Sequence, residues 1–148
     1  MEFEKLSIKK LVDLIKTGKC SAVEVMNYFL KKVEKFSGFN AIIEVFEDAL
    51  EKAKRIDEKV RAGEPLGKLA GVPIVIKDNI MFQGKKVTCA SKFMQDFVAP
   101  YSATIVKKIE NEDGIIFART NMDEFAMGGS CEKSCYGATL NAFDKSLV

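Results

Sequence analysis

Apolar residues recur at helical spacing through the first part of the chain. Ile8, Leu11, Val12 and Ile15 share one helical face behind Ser7, whose hydroxyl suits an N-cap, and Gly18 is placed to end the helix. Ser21-Ala-Val-Glu24 has the form of a capping box, and Val23, Met26, Leu30 and Val33 continue one face as far as the Ser37-Gly38 break. A helical hairpin over residues 1–37 follows. Ile42, Ile43, Val45 and Phe46 then make a short β-branched and aromatic run. Behind it comes a lysine- and glutamate-rich helix with Ala49, Ala53, Ile56 and Val60 on one side, stopped by Arg61-Ala-Gly-Glu-Pro65. Gly71-Val-Pro-Ile-Val-Ile-Lys-Asp-Asn-Ile80 changes the pattern, because five consecutive apolar positions suit a strand covered on both faces. Such a strand usually runs through a sheet centre. Residues 81–98 lack a period and read as irregular structure wrapped over the strand end. Pro100-Tyr-Ser102 is expected to start a helix through Ile105, Val106 and Ile109, and Asp113-Gly114 to turn into a strand over 115–118. Strand, helix, strand implies a parallel crossover, which leaves strand ends on one edge where sites in α/β folds usually lie. Asn121 is placed to cap a short acidic turn over 122–127, and Gly128-Gly129-Ser130 follows.

Composition narrows the class of protein. The 148 residues, 47% of them hydrophobic, suffice for one domain with its own core. Lys and Arg total 23 against 21 Asp and Glu and are interspersed, so the net charge of +2 gives no stripe for a polyanion. No apolar run approaches the roughly 18 residues of a membrane span, and Met1-Glu2-Phe3-Glu4-Lys5 lacks the form of a signal peptide. A cytoplasmic protein without membrane contact is expected. Cys20, Cys89, Cys131 and Cys135 are too few for a disulfide scaffold at this length. The absence of histidine removes the usual catalytic base, so acid–base chemistry falls to lysine, carboxylates or tyrosine.

Lys77 is the residue to explain. A lysine closing an apolar strand either runs its stem along the surface to solvent or stays inside, where desolvation lowers its pKa and leaves a neutral base. Taken locally, the first reading is favoured, since lysines are almost never fully buried unless paired. Thr17-Gly-Lys-Cys20 fails as a phosphate loop, because Asp13 stands where the first glycine should be and Cys20 replaces the metal-binding hydroxyl. Cys131 and Cys135 have neither a second pair nor a histidine to complete a zinc site. Cys131 as a thiolate served by Lys77 is chemically conceivable, and nothing in the spacing selects it. Paired glycines at Gly128 and Gly129 let a backbone approach a ligand, and Ser130 can hydrogen-bond a polar substrate; an ordinary glycine turn is the plainer reading of the same residues. Asp123 and Glu124 read as favourable charges in the first turn of a helix rather than as an acid–base pair.

Gly71-Val-Pro-Ile-Val-Ile-Lys-Asp-Asn79, Thr88-Cys-Ala-Ser-Lys92, Pro100-Tyr-Ser-Ala-Thr104 and Thr120-Asn-Met-Asp-Glu-Phe-Ala-Met-Gly-Gly-Ser130, taken in order, resemble the amidase signature family. The last of these is most similar to the branch formed by the amidase subunits of bacterial glutamyl-tRNA(Gln) amidotransferases. The resemblance implies an α/β fold: residues 1–148 as the N-terminal part of one domain, with a helical hairpin over 1–37 and a partial core over 38–148, its mixed sheet covered by helices. It implies a buried, neutral Lys77 as catalytic base, reversing the local reading, and it places Gly128, Gly129 and Ser130 along the substrate pocket. In that family a serine in cis geometry passes the proton on and a second serine attacks the amide, while backbone amides hold the oxyanion.

The departures matter as much. The chain ends at Asp144-Lys-Ser-Leu-Val148 without the family's Gly-Gly-Ser-Ser-Gly-Gly stretch, and Ser146 lacks the glycine frame that gives the cis serine its geometry. Two of the three catalytic side chains are therefore expected to be missing, and no amidase activity is expected from these residues alone. As part of a longer enzyme, the chain would help release ammonia from glutamine for conversion of Glu-tRNA(Gln) to Gln-tRNA(Gln). The B and C subunits of the amidotransferase would be its partners, tRNA would be held mainly by the partner, and ATP and Mg would be used there, with no cofactor in this chain. A stand-alone amidase for another small amide, or a non-catalytic interaction module on the same scaffold, are the alternatives. Cys131 and Arg119, where relatives often carry a hydroxyl residue and a lysine, are milder departures.

Overall fold

The computed structural model describes residues 1–148, as seven regular elements joined by loops and short 3₁₀ turns. In chain order these are α1 (Ile8–Lys16), α2 (Ala22–Lys35), β1 (Ile42–Val45), α3 (Ala49–Ala62), β2 (Pro73–Lys77), α4 (Thr104–Asn111) and β3 (Ile115–Thr120). The chain divides into two compact units. One holds Met1–Glu34, Phe46–Ile74 and Lys107–Phe117; the other holds Lys35–Val45, Val75–Val106 and Ala118–Val148.

In the first unit the caps form as the sequence dictates. The Ser7 hydroxyl accepts from Lys10 N at 3.3 Å, and Ser21 and Glu24 exchange hydrogen bonds of 2.8 and 3.0 Å in a reciprocal capping box. The Asp57 carboxylate on α3 adds a second cap to α2, accepting from Ala22 N at 2.6 Å and Val23 N at 3.1 Å. Helix α3 ends at Gly63, which supplies the left-handed φ of 67° that a C-cap needs. The buried faces are Leu11, Val12 and Ile15 of α1, Ala22, Val25 and Met26 of α2, and Ala49, Ala53 and Ile56 of α3. At Gly71, with φ of 73°, an added Cβ would lie 2.7 Å from the Ile15 side chain and 3.0 Å from Ala22, so only glycine fits.

The three strands order as β1-β3-β2. β1 and β3 are antiparallel, with Ile42 opposite Thr120 and Val45 opposite Ala118. β2 and β3 run parallel, since Ile115 N donates to Val72 O near their starts and Asp78 N to Thr120 O near their ends. β3, buried from Ile115 through Arg119, is thus the central strand. This corrects the expectation for β2. Its apolar run lies at the sheet edge and is covered on one side, with Ile76 buried and Val75 42% exposed. Helix α4 starts at Thr104 rather than at Pro100, because Ser102 and Ala103 are spent on the 81–83 loop. Gln83 N donates to Ser102 Oγ at 3.1 Å and Ala103 N to Met81 O at 2.8 Å. Residues 81–98 are irregular, as expected, apart from one bridge between Lys86 and Val98 and a 3₁₀ turn over Lys92–Met94.

Candidate functional site

The second unit holds Lys77, Gly128, Gly129 and Ser130, the residues that the resemblance assigns to the site. Lys77 closes β2, and Ile80 N donates to its carbonyl at 2.9 Å, so the chain turns sharply just beyond it. The side chain is exposed. The burial of Lys77 implied by the resemblance is therefore not what these residues make. An edge strand leaves every second side chain on an uncovered face, and Lys77 shares that face with Val75. The local reading of a lysine running to solvent describes this chain.

Lys77 nevertheless lines one cavity of about 380 Å³ together with Gly128, Gly129, Ser130, Asp123 and Cys131. Sequence separation of some fifty residues is thus closed by the fold within one unit. The Ser130 hydroxyl donates to the Glu132 carboxylate at 2.6 Å. The Cys131 sulfur accepts from the Thr139 hydroxyl at 3.3 Å.

Asp123 is not a first-turn helix charge. It precedes a 3₁₀ turn over Glu124–Ala126, is 6% exposed, and accepts from Cys131 N and Lys133 N, both at 2.9 Å. Those backbone donors, Lys133 first and then Cys131, hold its carboxyl below the usual carboxylate range, outweighing the opposite effect of burial. A single carboxylate therefore clasps the 128–133 loop. Gly128 is part of that clasp, since an added Cβ would lie 2.5 Å from the Asp123 carboxyl carbon; at Gly129 nothing stands within 4 Å. Asn121 likewise ties rather than caps. Its amide nitrogen donates to Asn40 O and Gly137 O, and its oxygen accepts from Met122 N and the Ser134 hydroxyl.

Directly behind Lys77, Asp78 is 1% exposed. Its carboxylate accepts from the Arg119 guanidinium, the Thr88 hydroxyl, Thr88 N at 3.2 Å and Ala90 N at 2.9 Å. Arg119, 5% exposed, also donates through Nε to Glu44 at 2.7 Å. Burial acts to lower the pKa of Arg119, but its bonds to Glu44 and Asp78 prevail and keep it raised, so it is a permanent cation. The pairing depends on a β-bulge. Between Ile42 and Glu44 the register slips by one residue, which sets Glu44 opposite Arg119. Sequence reading saw Asp78 only as the polar end of a strand and Arg119 only as a substitution. The available signal was opposite charge on elements predicted to be adjacent.

Other features carry less chemistry. A larger cavity, about 570 Å³, lies in the first unit between the Gly18–Ser21 turn and α3, and no residue of the predicted site lines it. All four cysteines are free, and burial raises the thiol pKa of Cys135, which opposes a thiolate ligand pair with Cys131. No three of the Cys, Asp and Glu side chains come together to hold a metal ion. No helix is long and apolar enough to cross a membrane.

Comparison with known proteins gives concordant results. Residues 24–148 match the family model described as Amidase. The chain is 41% identical over 149 residues to the A subunit of glutamyl-tRNA(Gln) amidotransferase from Borreliella afzelii (strain PKo), covering 100% of this chain and 31% of that relative. With the corresponding protein of Chlamydia felis (strain Fe/C-56) it shares 45% identity over 144 residues, covering 96% and 29%. Among solved structures, a bacterial aryl acylamidase of the amidase signature enzymes superposes with a TM-score of 0.85 at 28% identity, covering 95% of this chain and 30% of the other. The chain thus spans 29–31% of the length of the curated relatives it matches. With a family match running from α2 to the last residue, over a fold that superposes on a solved member, the chain belongs to the amidase signature family.

Proposed function

We propose that this chain supplies the lysine base and one substrate-contacting loop of an amidase that hydrolyses the side-chain amide of glutamine. The supporting observation is that Lys77 and the Gly128–Ser130 loop line the same cavity. On this reading an uncharged Lys77 amine draws a proton through a hydroxyl relay, a serine attacks the carboxamide carbon, and ammonia leaves from the tetrahedral intermediate. Backbone amides of the glycine loop face the substrate. In this chain the amine is exposed, so the cover that desolvates it, and the two serines, come from outside these residues.

The similarity to the glutamyl-tRNA(Gln) amidotransferase relatives suggests where the ammonia goes: to an activated glutamate on tRNA, carried by the B and C subunits as partners. On the same similarity, ATP and Mg would be used by the partner. The likeness to an aryl acylamidase keeps a second reading in play, a stand-alone amidase for another small amide.

Ammonia release from glutamine by the full-length native protein tests the proposal. Lys77→Ala is expected to lower kcat by at least about a hundredfold, the lower end of general-base contributions; unchanged turnover would sink it. Stimulation by misacylated tRNA together with the B subunit separates the first reading from the second. The 148 residues alone are expected to release no ammonia.

A further inference from the structure

Three charged side chains, two from strands and one from the turn after a strand, meet next to Lys77 in the chain. Glu44 comes from β1, Arg119 from β3 and Asp78 from the residue just past β2, and Arg119 bonds both carboxylates. We infer that this chain of charges, buried at Arg119 and Asp78 and half-exposed at Glu44, is a positioning device for Lys77, with Asp78 its key member.

The geometry carries the inference. Along a strand, successive side chains point to opposite faces, so the exposed Lys77 and the buried Asp78 are directed apart by one shared backbone. The backbone at Lys77 cannot slide or twist without dragging Asp78 out of its seat, so the root of the lysine side chain is held in place. That seat is tight in several directions. Asp78 N is held by Thr120 O at 3.2 Å, its carbonyl accepts from Cys89 N at 3.2 Å, and its carboxylate has four donors. The Tyr136 hydroxyl lies 3.0 Å from the Thr88 hydroxyl, and its ring lies 5.8 Å from the Arg119 guanidinium, extending the lock to the loop between the cavity-lining residues Cys131 and Thr139. Cys89 and Ala90 take left-handed φ values of 50° and 51°, which non-glycine residues rarely adopt. Ala90 N and Cys89 N are two of the donors to Asp78, so the strained turn serves this residue. An ion pair of this kind contributes little net stability, because desolvating the charges offsets their attraction; its best-attested use is to fix one arrangement. Here the arrangement fixed is the end of β2.

The inference rests on Lys77 being the base, and the test keeps the two apart. In the full-length native protein, Asp78→Asn keeps the shape and leaves Arg119 paired with Glu44. It is expected to lower kcat for glutamine about 10- to 100-fold with KM within about threefold, as for a displacement of the base near 1 Å. Asp57→Asn, which weakens the second cap of α2 in the other unit, serves as the control for lost stability. It should lower the melting temperature and leave kcat within about twofold, the scale of a cap loss that never reaches the site. Equal kcat losses in both variants, a change in KM alone, or full activity of Asp78→Asn would each overturn the inference. Full activity of Lys77→Ala would instead remove the reading beneath it. Arg119→Lys, which keeps the charge but reaches fewer acceptors, should fall between wild type and Asp78→Asn; a loss larger than that of Asp78→Asn would contradict the ranking of Asp78 as the key member.

Discussion

A methyl group at Gly128 would collide with the Asp123 carboxyl at 2.5 Å, whereas one at Gly129 would meet nothing within 4 Å. Gly128→Ala should therefore displace the 128–133 loop, seen as large shifts of the Cys131 and Lys133 amide resonances, and Gly129→Ala should leave them in place. Equal effects would show that the clasp does not depend on close approach. Asp123 also sets a pH dependence. Its folded pKa is lowered, so its contribution is present above the unfolded value of about 3.9 and is lost as pH falls through the lower folded value. The Cys131 and Lys133 amides should titrate with a midpoint below about 3.9; a midpoint at or above it would contradict the clasp. Neither role was visible locally. Asp123 sits in an acidic run that favours a helix start, and its partners are backbone groups eight and ten residues on, which no side-chain pattern announces.

At the scale of elements, the sheet decides which apolar run matters most. Ile116 on β3 is fully buried and Val75 on β2 is 42% exposed, though both lie in apolar runs. Ile116→Ala should cost about 2–5 kcal/mol and Val75→Ala about 0.5 kcal/mol or less in urea denaturation. The reverse order would restore β2 to the sheet centre. The helices were legible because their information is local: Ser7, the Ser21–Glu24 pair and Gly63 act within four residues of the ends they cap. The rank of the strands was not, since a run of five apolar residues says that two faces want cover and not whether neighbours supply it. Pro73 carried a hint, because a strand residue without an N–H is favoured at an edge or at a strand start.

For the whole molecule, exposure of apolar side chains is the property with the largest consequence. Phe93 is 92% exposed and Met127 79%, and Tyr101, Ile105 and Phe143 are also more than half in water. The chain should bind a hydrophobic dye in native buffer and self-associate as concentration rises, since large apolar surface in water drives both. A cooperative melt with no dye binding and a stable monomer would favour the non-catalytic module instead. The sequence by itself determined the elements, their order and the family. Caps, turns and periodicity act over a few residues, and four motifs in register require only that order be kept. Tertiary structure decided that β3 rather than β2 is central, that Lys77 faces water, and that Glu44 joins the buried Arg119 and Asp78 in one cluster. Each of these depends on which distant backbone lies alongside, and a single slipped residue of strand register is enough to change it.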